Sequence, residues 1–229
     1  EYFNPLITLY LFPRGENFDD IRMYERYDEG RQIYVQHWPW GSGQNPYWIA
    51  YRNIRESKRE RYMLSASLKY DVLSWLNIAA RIRVDNASNN YEEKRYASTD
   101  QLFAGSKGFY KLTKDNEKLT YGDLLFNINK SFGDFTLAAN IGASGTYTGN
   151  DLAGMQGALK DMPNLFTYYN IDFKTGRDSY PIQSGWEEST LSVFASAELG
   201  WKNMLYLTMT GRNDWASALS QTEKGSFSY

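Results

Sequence analysis

Hydrophobic and polar positions alternate one by one along several stretches of this chain. From Tyr62 to Val72, Tyr62, Leu64, Ala66, Leu68, Tyr70 and Val72 face Met63, Ser65, Ser67, Lys69 and Asp71. From Leu76 to Asp85, Leu76, Ile78, Ala80, Ile82 and Val84 face Asn77, Ala79, Arg81, Arg83 and Asp85. Successive Cβ atoms of a strand point to opposite faces, so a period of two predicts β-strands with one oily and one polar face. Only Leu73, Ser74 and Trp75 separate the two runs, which predicts a hairpin over about 60–85. The pattern recurs over about 122–146, turning near Gly133 and Asp134, and over 189–213, turning at Lys202 and Asn203. In the last pair Leu191, Val193, Ala195, Ala197, Leu199 and Trp201 oppose Ser192, Phe194, Ser196 and Glu198.

The segments between hairpins, at about 5–55, 86–119 and 147–188, are polar, aromatic and rich in Gly, Asn and Asp, and they read as long loops. Very short turns alternating with very long loops predict an antiparallel transmembrane β-barrel, with turns in the periplasm and loops outside. Strands of roughly ten residues, at about 3.3 Å per residue and tilted by about 45°, cross most of a bilayer's apolar layer. A soluble β-sandwich produces the same alternation, with its oily face turned inward. Strand length, loop asymmetry and the aromatics Tyr62, Tyr70, Trp75, Phe135 and Trp201 at the ends of the apolar runs favour the barrel. On that reading Arg81, Arg83, Asp85, Asn127, Asn140, Glu198 and Arg212 face a wet lumen.

Composition removes other classes. A net charge of -2 gives no reason to expect nucleic acid, and the absence of cysteine excludes disulfides and thiolate metal sites. The single histidine, His37, reads as a loop residue and cannot build a multi-histidine metal site. No run is long and apolar enough for a membrane helix. The opening EYFNPLITLY has none of the marks of a signal peptide, so a mature chain or an internal piece is expected.

Four stretches, NPLITLYLFPRGENFDD, QNPYWIAYRNIRESKRERYMLSASLKYD, WLNIAARIRVD and LYLTMTGRNDWASAL, resemble the SusC/RagA family of TonB-dependent outer-membrane transporters of Bacteroidota. The resemblance runs from Asn4 to about Leu219, and its most specific parts are Asn45-Pro46-Tyr47-Trp48 and Thr210-Gly211-Arg212-Asn213-Asp214-Trp215. It implies a parent with a plug domain, a TonB-contacting segment and a barrel of about 22 strands. This chain carries no plug and about six clear strands, so it reads as an internal fragment of that barrel. The resemblance further implies a SusD-like surface lipoprotein and the TonB complex as partners, outer-membrane lipid around the strands, and an oligosaccharide or peptide as substrate.

Candidate substrate-binding residues fall into two groups. In HWPWGSGQNPYW the rings of Trp38, Trp40, Tyr47 and Trp48 offer faces on which sugars stack, although packing of the loop on itself is the plainer reading. Arg81, Arg83 and Arg212 are the lumen candidates, and Arg212 with Asp214 also suits a salt-bridged ladder. Pro39, Gly41, Gly43 and Pro46 read as turn residues, and Gly41-Ser42-Gly43 lacks the pattern of a nucleotide loop.

Catalysis is not expected. Glu92-Glu93 and Glu187-Glu188 are adjacent, so in extended chain they point apart and read as solvated loop ends; KDNEK at 114–118 reads as a solvated turn. No enzyme activity, cofactor or metal is expected. The leading expectation is a wall segment of a TonB-dependent nutrient importer in the outer membrane. The alternative is a soluble or surface-exposed sandwich that binds glycans without transporting them.

Overall fold

A computed structural model describes residues 4–41, 43–176 and 178–218, together with the backbone of 225–228. The first elements are short: α1 (Pro5–Tyr10), a 3-10 turn (Phe18–Arg22), β1 (Glu25–Asp28), β2 (Ile33–Gln36) and α2 (Pro46–Arg52). Both helices begin in the same way, with proline in the first turn and an asparagine cap. The Asn4 side chain accepts from the Leu6 amide at 3.0 Å and that of Asn45 from the Tyr47 amide at 2.9 Å. β1 and β2 pair only with each other, antiparallel, Glu25 opposite Gln36.

A seven-stranded sheet follows, formed by β3 (Asn53–Leu73), β4 (Leu76–Tyr96), β5 (Gly108–Phe132), β6 (Phe135–Ala158), β7 (Tyr180–Trp201), β8 (Leu205–Ala216) and β9 (Gly225–Ser228). A small helix, α3 (Gln101–Ala104), interrupts the connection from β4 to β5. Each strand lies beside its neighbour in sequence, so the order in space is the order in the chain. The sheet is open, with β3 at one edge and β9 at the other, rather than closed into a barrel within this chain.

The three expected hairpins are present, and their turns fall where the alternation breaks. The β7–β8 register pairs Leu199 with Leu207 and Ala197 with Met209 on one face and Glu198 with Thr208 and Ser196 with Thr210 on the other, keeping apolar opposite apolar and polar opposite polar. Lys202 and Asn203 take positive φ of 51° and 56°, and Gly133 takes 60°, as tight turns require. The strands nevertheless run far beyond the expected hairpin bounds. Residues 86–96, 108–119, 147–158 and 180–188, all expected in loops, continue β4, β5, β6 and β7. Glu92, Glu93, Glu187, Glu188 and the 114–118 run therefore lie in strands rather than in loop ends or a turn, and Met155 lies in β6. The connections shrink to 97–107 and 159–179, and the expected 5–55 loop is largely built of short elements. The reason is chemical: past Asp85 polar side chains occupy both faces, so the strand goes on while its hydrophobic period disappears.

The chain divides into two compact units. The first takes in the chain up to Arg59 with Asn89–Asp115 and Leu152–Ser184, and it holds both long connections. It has conventional packing: Tyr110, Leu159 and Ile171 form a small core with Leu112, Met155 and Phe166 against it, and Trp48 is fully buried. Asn170 organises the 159–179 connection by accepting from the amides of Asp161 and Met162 and donating to the carbonyls of Met162 and Leu165.

The second unit comprises Glu60–Ser88, Asn116–Asp151 and the chain from Gly185 onward, and it holds the turns at 74–75, 133–134 and 202–204. Its packing is inverted. Leu68 is 70% exposed, Leu207 61% and Met209 65%, whereas Ser192 is 3% exposed and Asp85 and Asp123 are buried. Among its described residues the only buried apolar side chain is that of Ala87. No second sheet is found among them either, so the sandwich expectation is not met. Near the turns, Phe132 stacks with Phe135 at 6.2 Å, Lys130 lies 4.7 Å over Trp75 and Lys202 lies 5.2 Å over Trp201. Lys202 also ties the two neighbouring turns together: its amide donates to the Asp134 carbonyl at 2.7 Å and its ammonium lies 3.4 Å from the Asp134 carboxylate.

Candidate binding face of the sheet

Alternation brings Arg61, Ser65 and Ser67 of β3, Arg81, Arg83 and Asp85 of β4, and Asp123 of β5 to one face of the second unit. Side-chain contacts confirm the shared face. Arg61 grips Asp85 with both ends of its fork, Nε to Oδ1 at 2.8 Å and a terminal nitrogen to Oδ2 at 2.6 Å. Arg81 donates from Nε to both oxygens of Asp123, at 3.1 and 2.9 Å. Farther along β4 the face continues with an amide pair, Asn127 donating to Asn77 at 2.8 Å. Across β7 and β8, Arg212 holds Asp214 at 2.8 Å and donates to the Ser192 hydroxyl at 3.0 Å. Asn140 reaches Ser196 at 3.4 Å and the Thr208 hydroxyl donates to Glu198 at 3.2 Å.

The carboxylates are the buried partners and the guanidiniums the open ones. The Asp123 side chain is 1% exposed while that of Arg81 is 59% exposed. Burying a charge is costly unless it is paired and hydrogen-bonded, and each arginine meets that cost while leaving donors facing outward. The face therefore presents cationic, hydrogen-bond-donating chemistry, although carboxylates lie beneath it.

Of the lumen candidates, Arg81 and Arg83 lie together beside the β3–β4 hairpin, and Arg212 is bound into its own pair with Asp214 and Ser192. The aromatic candidates belong to the first unit and are largely turned to packing. Trp48 has no exposed surface, and its indole N–H donates to the Thr99 hydroxyl at 2.9 Å. Trp38 and Trp40 meet edge to face at 5.1 Å, and Phe12 packs 4.8 Å from Trp40. Tyr47 clusters with Tyr24 and Tyr51 at 6.4 and 6.2 Å, and those two rings lie 5.5 Å from each other. His37 follows β2, where its backbone bonds Tyr24 and Asn45. Ser42 lies outside the described residues, as does Leu219 at the end of the expected resemblance.

Arg61 and Asp123 lie within the hairpins expected over about 60–85 and 122–146 but are not among the residues the sequence assigned to the polar face. The signal for both was present. Continuing each alternation outward by one or two positions puts Arg61 and Asp123 on the polar face. The adjacent glutamates do separate. Glu93 is buried among Arg55, Arg95 and Tyr91, and Glu92 meets Lys94 and Tyr110. Among the described residues no three acidic or histidine side chains gather as a metal would require.

No known family profile matches this sequence, and no curated protein does. Solved structures do match in fold. The RagAB peptide transporter is similar over 84% of this chain, with a TM-score of 0.74 at 15% identity. The RagAB peptide importer in its open-open and closed-closed states matches with TM-scores of 0.72 and 0.73 at 16% and 15% identity, over 84% and 83% of this chain. In each case the chain spans about a fifth of the matched one, 22% and 21% of its length, and what the two share is the fold of that stretch of sheet.

Proposed function

We propose that this chain is a stretch of the wall of a TonB-dependent outer-membrane importer that takes up peptides with a SusD-like surface lipoprotein as partner. The observation that carries this reading is the inverted second unit, in which Leu68, Leu207 and Met209 are bare while Asp85, Asp123 and Ser192 are buried. Exposed apolar surface of that extent needs a cover, and lipid around a barrel is the cover that leaves the opposite, charged face to water. Closure into a barrel requires further strands beyond β3 and β9, because an open edge in lipid leaves backbone groups without partners. Among cargoes, peptide is preferred to oligosaccharide. The matched structures are of a peptide transporter, and the tryptophans that would stack on sugars are mostly spent on packing.

The test is made on cells carrying or lacking the intact parent gene. The parent should fractionate with the outer membrane, and its loss should abolish uptake of labelled oligopeptides while sparing oligosaccharides. Removing TonB or the lipoprotein should have the same effect. Peptide uptake that continues unchanged without the parent overturns the proposal, and loss of oligosaccharide uptake alone would transfer it to a glycan cargo.

A further inference from the structure

We infer that Arg83, with Ser65, Ser67 and Tyr121 around it, recognises a carboxylate of an acidic peptide. The inference rests on the importer reading and adds a substrate class to it. It follows from how the charges on this face are shared. Three guanidiniums, of Arg61, Arg81 and Arg83, stand over two carboxylates, of Asp85 and Asp123. Arg61 occupies both oxygens of Asp85 and Arg81 both oxygens of Asp123. Arg83 is left with one long contact among the described residues, 3.3 Å to the Asp85 oxygen that Arg61 already holds at 2.6 Å.

A guanidinium in that position keeps most of its five donors free, and their planar fork matches a carboxylate. Its surroundings suit the same ligand. Arg83 lines an open cavity of about 380 Å³ with Arg81, Tyr121, Ser65 and Ser67; the two serine hydroxyls can donate to an anion, while the Tyr121 hydroxyl is engaged with Asp123. Of the other charged groups nearby, Asp123 and Asp85 sit beneath their arginines, Glu117 of β5 acts on Arg61, and Lys69 and Asp71 form an exposed pair at 3.8 Å on the same strand. No free carboxylate among the described residues lines the cavity to compete with an incoming one.

The test uses the intact parent protein in detergent and calorimetric titration with two hexapeptides, alternating Glu-Ala and alternating Gln-Ala. Wild type should bind the glutamate peptide about tenfold more tightly or better, the scale of one charge-assisted hydrogen-bonded contact. Arg83→Gln should erase that preference. It leaves both the Arg61–Asp85 and Arg81–Asp123 pairs in place, so folding is preserved. Arg83→Lys should restore part of the preference, since it returns the charge without the fork. Equal affinities in wild type, or a preference unchanged in Arg83→Gln, overturn the inference. Uptake in cells separates the two readings. If uptake requires the protein but the preference ignores Arg83, the site fails alone. If the Arg83-dependent preference holds while cells lacking the protein still import both peptides, the importer reading fails and the site stands.

Discussion

On the proposed reading of the sheet as a barrel wall, arginine introduced at Ala80 should destabilise the parent protein by about 2–4 kcal/mol, whereas arginine at the neighbouring Ala79 should cost less than about 1 kcal/mol. The magnitude follows from position. The oily run of β4 extends from Leu76 to Val84, with Ala80 at its centre. At about 3.3 Å per residue Ala80 lies roughly 13 Å along the strand from either end, or roughly 9 Å in depth at a 45° tilt. In an apolar band about 25 Å tall that is close to the midplane, where a lipid-facing cation costs most. Ala79 shares the face of Arg81 and Arg83, where an added guanidinium meets water and carboxylates. The same geometry predicts a gradient: arginine at Leu76 or Val84 should cost about 0–1 kcal/mol, since both positions approach an interface where the charge can reach water. The assay is urea titration of the parent protein refolded into phosphatidylcholine vesicles, comparing all four variants. Equal losses at Ala79 and Ala80, or no gradient from the middle to the ends of the run, would refute the assignment of this face to lipid.

Cysteines placed at Ser74, Asp134 and Asn203 should be shielded from an impermeant label on intact cells, and cysteines at Gln101 and Tyr169 should react; equal labelling of both sets would contradict the topology. Residues 1–229 expressed alone should not give a soluble monomer, because the sheet has two open edges and a bare apolar face; a monomeric, cooperatively melting product on gel filtration would defeat the reading. Trp48→Ala should cost about 3–5 kcal/mol locally, read as faster amide exchange through 46–52 and 97–104, since it empties a fully buried site; a variant with unchanged exchange but weakened binding would make Trp48 a ligand contact instead. The Asp172 carboxyl, in the 159–179 connection, is held down to about 2 by the Thr175 hydroxyl and by the amides of Thr175, Lys174 and Gly176. Its folded value lies below its unfolded one, so its contribution is full above about pH 4 and is lost as pH falls towards 2. Amide protection of 174–176, corrected for intrinsic exchange, should follow that window, and protection already gone at pH 4 would refute it.

The parts of this fold that were legible in the sequence are those in which the two faces of the sheet differ in chemistry. Leu64, Leu68, Leu76 and Ile82 alternate with serines, lysine and arginines because one face is oily and the other wet, and there strand, register and turn could be read directly. Asn89, Asn90, Glu92, Glu93, Lys94 and Arg95 continue the same strand with polar groups on both sides, so periodicity is silent and a loop was the natural reading. Helices α1 and α2 were missed for another reason. Asn4-Pro5 and Asn45-Pro46 are cap-and-first-turn signals, but each opens a helix of only six or seven residues, too short to establish its own period. For the candidate site, residue types and face were readable. The sharing of carboxylates was not, because it depends on which arginine on a neighbouring strand reaches each aspartate first.

A sheet whose order in space repeats its order in the chain has an evolutionary corollary. Every pairing from β3 to β9 joins sequence neighbours, so no strand depends on a distant partner to find its place. Duplicating or deleting one hairpin would leave all other pairings and both faces intact and would change the width of the sheet by two strands. Such a wall is extensible by gene duplication in units of a hairpin, and inheritance of the pattern needs neither conserved length nor much conserved sequence. A chain can therefore share this architecture with a solved structure at 15% identity while matching no family profile.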